Sequence, residues 1–378
     1  MKIAIITITN SKINYGNALQ NCALCSVLKS FGSEVVTLNN TKGSNPSKLS
    51  QIKSFIKNII KIILGRKVIN YKKNIKQNLV AFEEFQKKYL QYSASIDFNK
   101  LNELLEKYDF FVIGSDQVWN PVFYCNQICW DYLFASFAPS YRKIAYAASI
   151  SIAEIPKEFQ ESFIKNVNNI SNVSVREEAG AKLIENLTGR LPEVLVDPTL
   201  LLSARQWENF ANTVEKLPPK YLLTYFLGKV SETRKKDIES IAVKYGLNVV
   251  DIMDGNGLFN MKNIGPSEFI YLVKNATVMC TDSFHGSVFS IIFHIPFLIY
   301  EREDNLEKMN SRMDTLLGMM NLQSRFRQNI EIDNILKIDF SYSDKKIAEE
   351  KKRSMEYLEK NLKKAEEKTK EWKIQAGK

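Results

Sequence analysis

A histidine in the first turn of a predicted helix is the residue of this sequence best placed to do chemistry. The stretch 278–290, VMCTDSFHGSVFS, predicts a short strand that ends at Cys280 and a helix that begins near Ser283. Asp282 or Ser283 can cap that helix, and the free N–H groups of a helix start favour an anion such as phosphate or carboxylate. His285 faces the same place, so we expect it to transfer protons; a hydrogen-bonded structural histidine is the alternative.

Four other predicted strands end in small or polar residues. These ends are Gly114-Ser115-Asp116, Ala148-Ser149, Arg176-Glu177 and Asp197-Pro198. Ligands of parallel α/β sheets bind beyond the carboxyl ends of the strands, so Asp116 and Arg176 are candidates for a site. Asp197 has a plainer interpretation, because an Asp-Pro pair ends a strand and turns the chain.

The number and spacing of the cysteines argue against disulfide bonds and metal sites. The chain has five cysteines, an odd number that speaks against a disulfide framework and indicates a reducing compartment. Cys22 and Cys25 form a CxxC, but the apolar residues around them have helical spacing, which predicts that both thiols face a core. Cys125 and Cys129 have no histidine nearby, and we expect no metal site. His294 lies at the far end of the helix that contains His285, and we assign it no catalytic role.

The elements that must position these candidates follow from the pattern of apolar runs. Short apolar runs alternate with helical patterns, which argues for an α/β fold with parallel sheets covered on both faces. The predicted strands of the first half are 2–8, 34–38, 110–113, 143–147, 173–175 and 194–196. Those of the second half are 221–227, 248–252, 277–280 and 296–300, with helices at 231–245 and 266–274 between them.

Two doubly wound, Rossmann-like domains that face a cleft are the expected architecture, the glycosyltransferase-B-like plan. The junction is expected within 203–220, which contains Leu217-Pro218-Pro219. The N-terminal α/β domain then covers 1–205, with a basic helical insertion at about 48–90, and the C-terminal α/β domain covers 218–342. Residues 343–378 form a charged, amphipathic helix that is expected to cross back onto the first domain.

The net charge of +10 is concentrated in one segment. Residues 48–90 hold eleven Lys or Arg against two Glu, so the rest of the chain is close to neutral. Within 52–63, the isoleucines share one helical face and the lysines lie on the others. Such a helix can rest on an anionic membrane surface, and a core helix is the alternative. No zinc finger or RNA-binding signature is present, so we expect no nucleic-acid partner. No run reaches the roughly 18 apolar residues of a membrane span.

Eight short motifs lie in one order between residue 1 and about 325. They are YGNALQ at 15–20, GSDQVWN at 114–120, IAYAAS at 144–149, SVRE at 174–177, VDPT at 196–199, GPSEF at 265–269, TDSFHG at 281–286 and NSR at 310–312. Each motif alone is weak, whereas eight in register over that length are specific. Together they make the chain similar to the polysaccharide pyruvyl transferase family.

The resemblance implies transfer of pyruvate from phosphoenolpyruvate to two hydroxyls of a sugar, which gives a cyclic ketal. The acceptor would be a sugar of a cell-surface polysaccharide, or of its precursor carried on a polyprenyl diphosphate. A cytoplasmic enzyme is implied, held at the inner face of the membrane if the basic helix binds lipid. Phosphoenolpyruvate is a co-substrate, and no cofactor is expected.

The resemblance also assigns residues to the donor. Phosphoenolpyruvate would bind at the helix start formed by Ser283 and Gly286, with Arg176 clamping its phosphate or carboxylate. His285 would supply and remove protons. Many family members carry an arginine two residues before this histidine, where the present chain has Ser283. One anion contact must therefore come from elsewhere, and Arg312 is the candidate.

The acceptor would lie against the first domain. Trp119 offers a flat apolar face for a sugar ring, and Asp116 and Asn120 can bind hydroxyls, with Gln117 beside them. Asp116 could also orient or deprotonate the attacking hydroxyl. A structural turn with a buried Trp119 is an equal alternative. Asn17, at the first helix start, either lines the cleft or caps the helix.

Two other functions remain open from the sequence. A nucleotide-sugar-dependent glycosyltransferase of the same architecture would need a base-binding pocket and a DxD or comparable spacing, which is not visible. A non-catalytic family member acting as a binding protein is favoured by the missing arginine. The presence of His285, Arg176 and the GSDQVWN loop counts against that second alternative.

Overall fold

The computed structural model describes residues 1–9, 13–40, 71–121, 127–228, 230–253, 263–302 and 311–375. The basic helix predicted at 52–63, with its proposed membrane contact, lies outside these residues. Within them, no helix combines the length and the apolar character that a bilayer span requires.

The strands form two parallel sheets. The first contains β1 (Lys2–Ile6), β2 (Glu34–Asn39), β3 (Tyr92–Ser95), β4 (Phe110–Ile113), β5 (Lys143–Ala148), β6 (Asn172–Val175) and β7 (Glu193–Val194). Its order, β3-β2-β1-β4-β5-β6-β7, extends the Rossmann order. The second contains β8 (Tyr221–Tyr225), β9 (Asn248–Asp251), β10 (Val278–Thr281) and β11 (Phe297–Ile299), in the order β11-β10-β8-β9. The predicted architecture of two Rossmann-like domains is confirmed.

Helices connect the strands and cover both sheets. They are α1 (Tyr15–Ser30), α2 (Tyr71–Tyr89), α3 (Leu104–Lys107), α4 (Gln127–Tyr132), α5 (Lys157–Asn168), α6 (Glu178–Thr188), α7 (Ala204–Glu208), α8 (Glu232–Tyr245), α9 (Pro266–Lys274), α10 (Phe284–Ile292), α11 (Ser311–Met320) and α12 (Ser341–Gln375). The predicted strands are found, mostly with ends shifted by one or two residues. The edge strand β3 was not predicted, because its sequence YSAS has no apolar run.

The two halves share one continuous apolar core. A single cluster of buried side chains runs from Ile3 in β1 to Leu223 in β8. Tyr15 of α1 stacks on Phe269 of α9 with ring centroids 4.9 Å apart, and its hydroxyl donates to the carbonyl of Ile264, 2.9 Å away. Burial of apolar surface favours this docked arrangement of the domains.

Helix α2, the described end of the predicted basic insertion, is part of that core. Phe82 and Phe85 are buried in it. The amide of Ile264 donates to Oδ1 of Asn78 at 3.0 Å, and a β-carbon on Gly265 would lie 2.9 Å from Ala81. This half of the insertion therefore packs against the start of α9 in the second domain.

The C-terminal helix α12 returns to the first domain, as expected for this architecture. Leu358 is fully buried, and the hydroxyl of Tyr357 donates to the carbonyl of Ala145 in β5 at 3.0 Å. The rings of Tyr357 and Tyr146 lie 6.3 Å apart. The last helix thus ties the end of the chain to the first sheet.

The shared core predicts one cooperative unfolding transition. Phe289 of α10 is fully buried and lies 4.9 Å from Trp207 of α7, between ring centroids, at the junction of the halves. Phe289→Ala should lower the free energy of unfolding by about 3–5 kcal/mol, because the cavity removes contacts on both sides. Urea unfolding monitored by circular dichroism measures the loss.

Val243→Ala on α8 is the matched control. Val243 is 82% exposed, and we expect its loss to change stability by less than about 0.5 kcal/mol. Two separate transitions, with only one of them shifted by Phe289→Ala, would contradict a continuous core.

Candidate functional site

A polar cleft opens between the two sheets, at the carboxyl ends of their strands. Its empty volume, open solvent included, is about 590 Å³. The N-terminal half contributes Asn14, Asp116 and Gln117, and the C-terminal half contributes Leu227, Asp282, Ser283, Phe284, His285, Arg302, Arg312 and Met313. Both domains therefore contact anything bound there.

The strand–helix junction of β10 and α10 forms one wall of the cleft. Ser283 is the N-cap, and its hydroxyl accepts a hydrogen bond from the amide of Gly286 at 3.4 Å. A β-carbon on Gly286 would lie 2.6 Å from Oγ1 of Thr281, so glycine is needed for the helix to pack on the strand. Asp282 accepts from the amides of Leu227 and Gly228 and does not cap the helix.

His285 lies in the first turn of α10 and on the wall of the cleft. It is 6% exposed, and its Nε2 lies 3.5 Å from Oδ2 of Asp197. That atom pair is close enough for an ion pair but does not meet hydrogen-bond geometry. The imidazole therefore lies between the cleft and a buried carboxylate.

The carboxylate of Asp197 is the centre of a buried polar cluster. It accepts from Arg176 Nη1 at 2.5 Å, from Ser115 Oγ at 3.3 Å, and from the amide and hydroxyl of Thr199. Burial opposes ionisation, but the neighbouring His285 and Arg176 and these hydrogen bonds hold the pKa of Asp197 well below its usual range. The aspartate is thus a fixed negative charge behind the imidazole.

Asp116 continues this cluster towards the cleft. Its φ of 62° places it in the left-handed region, directly after β4. Its carboxylate lies 3.6 Å from Arg176 Nη2 and accepts from Asn17 Nδ2 at 3.2 Å. Asn14, and not Asn17, caps α1. A chain of polar contacts therefore links Asp116, Arg176, Asp197 and the imidazole.

Two arginines of the second domain line the cleft beside the start of α10. Arg312 belongs to α11 and Arg302 follows β11. Burial, together with repulsion from Arg176, lowers the pKa of Arg312 to about 10, so it stays charged at neutral pH. Within the described residues, its buried Nε has no hydrogen-bond partner. This wall of the cleft can therefore accept an anion.

The structure corrects three sequence-based assignments. Trp119 is fully buried, stacked on Phe134 at 4.9 Å, and cannot present its face to a sugar. Asn120 is also fully buried and donates to Oε1 of Gln117. Of Trp119, Asn120 and Gln117, only Gln117 lines the cleft. Arg176 is 3% exposed and does not line the cleft, because the ring of Phe284 covers it at 4.5 Å. Its guanidinium forms ion pairs with the buried carboxylates of Asp116 and Asp197.

Sequence reasoning missed Asp197, Arg302 and Asn14 as parts of the site. Asp197 and Arg302 both follow strands, the criterion that selected Asp116, so this signal was present for them. The Asp-Pro pair also fits a turn, and acidic residues follow Arg302 directly. Asn14 precedes the first helix, where Asn is a preferred N-cap, so a signal was present for it too. Among the described residues, no group of three or more His, Cys, Asp or Glu is arranged to hold a metal ion.

A comparison with protein families decides the family. The family model for polysaccharide pyruvyl transferase matches residues 14–305. This chain belongs to the polysaccharide pyruvyl transferase family. The match covers every strand except β1 and every residue of the cleft except Arg312 and Met313, and the resemblance inferred from the eight motifs is confirmed. No curated protein matches the sequence.

Solved structures of similar shape include enzymes that act on nucleotide sugars. A putative UDP-N-acetylglucosamine 2-epimerase from Listeria monocytogenes is 12% identical, with 93% of this chain and 90% of that chain covered and a TM-score of 0.48. The S. aureus MnaA–UDP co-structure is 13% identical, with 96% and 97% covered and a TM-score of 0.49. The glycosyltransferase SnogD from Streptomyces nogalater is 11% identical, with 94% and 95% covered and a TM-score of 0.44. Because these TM-scores are below 0.5, the fold assignment is based on the strand orders of the two sheets and not on these structures.

The buried cluster predicts that Arg176→Ala destabilises the protein. The change leaves the carboxylate of Asp197 buried without its guanidinium, which costs about 3–5 kcal/mol at pH 7. Because the folded pKa of Asp197 is depressed, its stabilising contribution is present above the unfolded pKa of about 4 and is lost as the pH falls through the folded pKa. The stability difference between wild type and variant should therefore shrink in acid, as measured by urea unfolding at several pH values.

Lys235→Ala provides the matched control, since Lys235 forms an exposed ion pair with Glu232. Its removal should leave stability unchanged at every pH. A variant Arg176→Ala as stable as wild type at pH 7 would contradict the buried-pair interpretation.

Proposed function

We propose that this family member transfers pyruvate from phosphoenolpyruvate to two hydroxyls of a sugar, forming a pyruvate ketal. The observation that carries the proposal is the position of His285. It lies on one wall of the cleft with two arginines, while Asp116 and Gln117 form the opposite wall. The acceptor is a sugar of a cell-surface polysaccharide or of its polyprenyl-diphosphate-linked precursor, and the enzyme works in the cytoplasm or at the inner membrane face.

The donor side of the cleft is the wall with Arg302 and Arg312. Phosphoenolpyruvate carries a phosphate and a carboxylate, both of which form strong charge-assisted hydrogen bonds with guanidinium groups. The buried Nε of Arg312 lacks a protein partner in the described part of the chain, and a bound anion would satisfy it. These arginines replace the contact that Ser283 does not supply. The N-terminal end of α10 adds a dipole that favours an anion, whereas the amide of Gly286 itself donates to the hydroxyl of Ser283.

The acceptor side is the wall with Asp116, Gln117 and Asn14. Their carboxylate and amide groups accept and donate hydrogen bonds, as sugar hydroxyls require. Asp116 is held by Asn17 and Arg176, so it is oriented before an acceptor arrives. With Trp119 buried, the ring of Phe284 supplies aromatic surface in the cleft.

The reaction needs one group that donates and one that accepts a proton. His285 donates a proton to the methylene carbon of phosphoenolpyruvate, whose double-bond electrons form the new C–H bond. The first sugar hydroxyl attacks the resulting cationic carbon and loses its proton to Asp116 or to the imidazole. The C–O bond to phosphate then breaks and its electron pair leaves with the phosphate oxygen. The second hydroxyl closes the ketal, and its proton passes to the departing phosphate. Inorganic phosphate is the second product.

The proposal is tested by incubating the protein with phosphoenolpyruvate and a panel of free and polyprenyl-diphosphate-linked sugars. Acceptor-dependent release of inorganic phosphate, with a mass gain of one pyruvate less one water, is the expected result. Transfer from a nucleotide sugar with release of the nucleotide would instead support a glycosyltransferase. Binding of phosphoenolpyruvate without turnover of any acceptor would support a binding protein.

Replacement of His285 by Gln should abolish most of this turnover. Gln keeps hydrogen bonds but cannot shuttle a proton, so kcat should fall by about 10²–10⁴. Calorimetry should find nearly unchanged affinity for phosphoenolpyruvate, because the arginines and the helix start remain. His294→Ala is the matched control, since His294 follows the other end of α10, where it binds the exposed Asp344 at 2.7 Å. If His285→Gln keeps the wild-type rate, the proton donor is another group, with Asp116 and Asp282 the next candidates.

A further inference from the structure

The imidazole of His285 is held from two sides by residues of the other domain. His285 belongs to α10 of the second half, whereas Gly16 lies in the first turn of α1, and Asp197 caps the 3-10 turn 198–201. A β-carbon at position 16 would lie 1.9 Å from Nδ1 and 2.4 Å from Cγ of the imidazole. No side chain fits at position 16 while the ring keeps this place.

Asp197 approaches the ring from the opposite nitrogen. Its Oδ2 lies 3.5 Å from Nε2, and Arg176, Ser115 and Thr199 fix the carboxylate in that position. Asp197 is 1% exposed and does not line the cleft, so it can act on a substrate only through the imidazole. A carboxylate beside a ring nitrogen selects the tautomer with N–H on that nitrogen and stabilises the ring when it carries a second proton.

We propose that Gly16 and Asp197 are positioning residues for His285, so that the imidazole reaches its working orientation only when the two domains are docked. The role in proton transfer rests on the proposed function, whereas the contact itself does not. Orientation matters here because a misplacement of about 1 Å in a reacting group can cost about 10²-fold in rate. The glycine excludes other ring positions by its close backbone contact, and the aspartate fixes the rotation of the ring.

The contact is tested without any assay of activity. Gly16→Ala should lower the melting temperature, because the new methyl group and the imidazole cannot share the same space. In the background of His285→Ala the same change should leave the melting temperature unchanged or raise it, since the ring is absent. Gly318→Ala in α11 is the control: among the described residues, a β-carbon there meets only Gln323, at 3.8 Å, and stability should not fall. An equal loss from Gly16→Ala in both backgrounds would overturn the contact.

The kinetic test separates positioning from binding. Gly16→Ala should lower kcat by about 10²-fold while the KM for phosphoenolpyruvate stays within a few-fold, because the arginines that bind the donor are untouched. Gly318→Ala should keep the wild-type values of both. A kcat within twofold of wild type for Gly16→Ala would overturn the role of Gly16.

Asp197→Asn is tested through the pH profile of kcat. The charged groups around the imidazole are Asp197, Arg176 and Asp116 from the first domain and Asp282, Arg302 and Arg312 from the second. Removing the nearest negative charge disfavours the protonated ring, so the alkaline limb of the profile should move to lower pH, with activity partly regained in acid. A loss that is equal at every pH would indicate a structural role and overturn the positioning role of Asp197.

The two proposals fail in different ways. If wild type releases no phosphate from phosphoenolpyruvate with any acceptor, the proposed function fails. The melting temperatures of Gly16→Ala in the wild-type and His285→Ala backgrounds still decide whether Gly16 contacts the imidazole. If wild type is active and Gly16→Ala keeps its kcat, only the positioning inference fails. Asp197→Asn also removes the ion-pair partner of Arg176. If the Asp197→Asn variant does not fold, the Gly16 variants alone test the positioning inference.

Discussion

The buried carboxylate of Asp197 lies where the two domains meet, and the geometry of the cleft depends on it. A carboxylate in this position is unfavourable unless several donors compensate it, and here a guanidinium, two hydroxyls and an amide do so. Each of those donors is thereby fixed in turn. Arg176, which is held by Asp197, is the ion-pair partner of Asp116. Asp197 also contacts the imidazole of His285, which belongs to the second domain. One charge therefore orders groups on both walls.

The continuous apolar core gives this polar cluster a rigid frame. Rings from α2, α9 and β8 pack around Tyr15 of α1, and Trp207 contacts Phe289 across the junction. Packing at this density leaves little freedom for the domains to slide, so the polar contacts keep their distances. Gly16, adjacent to Tyr15 in α1, is held against the imidazole by the same packing. The core is thus the element that gives the polar contacts their precision.

The cations of the site divide into two groups with different tasks. Arg176 is buried and neutralises Asp116 and Asp197, and the ring of Phe284 separates it from the cleft. Arg302 and Arg312 line the cleft and can meet a ligand. Burial and, after it, repulsion from Arg176 lower the pKa of Arg312, and an arriving anion would relieve that repulsion.

The sequence by itself determined the alternation of strands and helices, the two parallel sheets, the strand ends that carry Asp116 and Arg176, and the helix start that carries His285. These features are local, because apolar periodicity and helix caps are written in neighbouring residues. It could not determine which strand-end groups face the cleft. Burial of Trp119, the covering of Arg176 by Phe284 and the contact of Asp197 with His285 join residues up to 108 positions apart. Only the docking of two domains through a common core brings such residues together, since no periodicity in the chain encodes a distance between its halves.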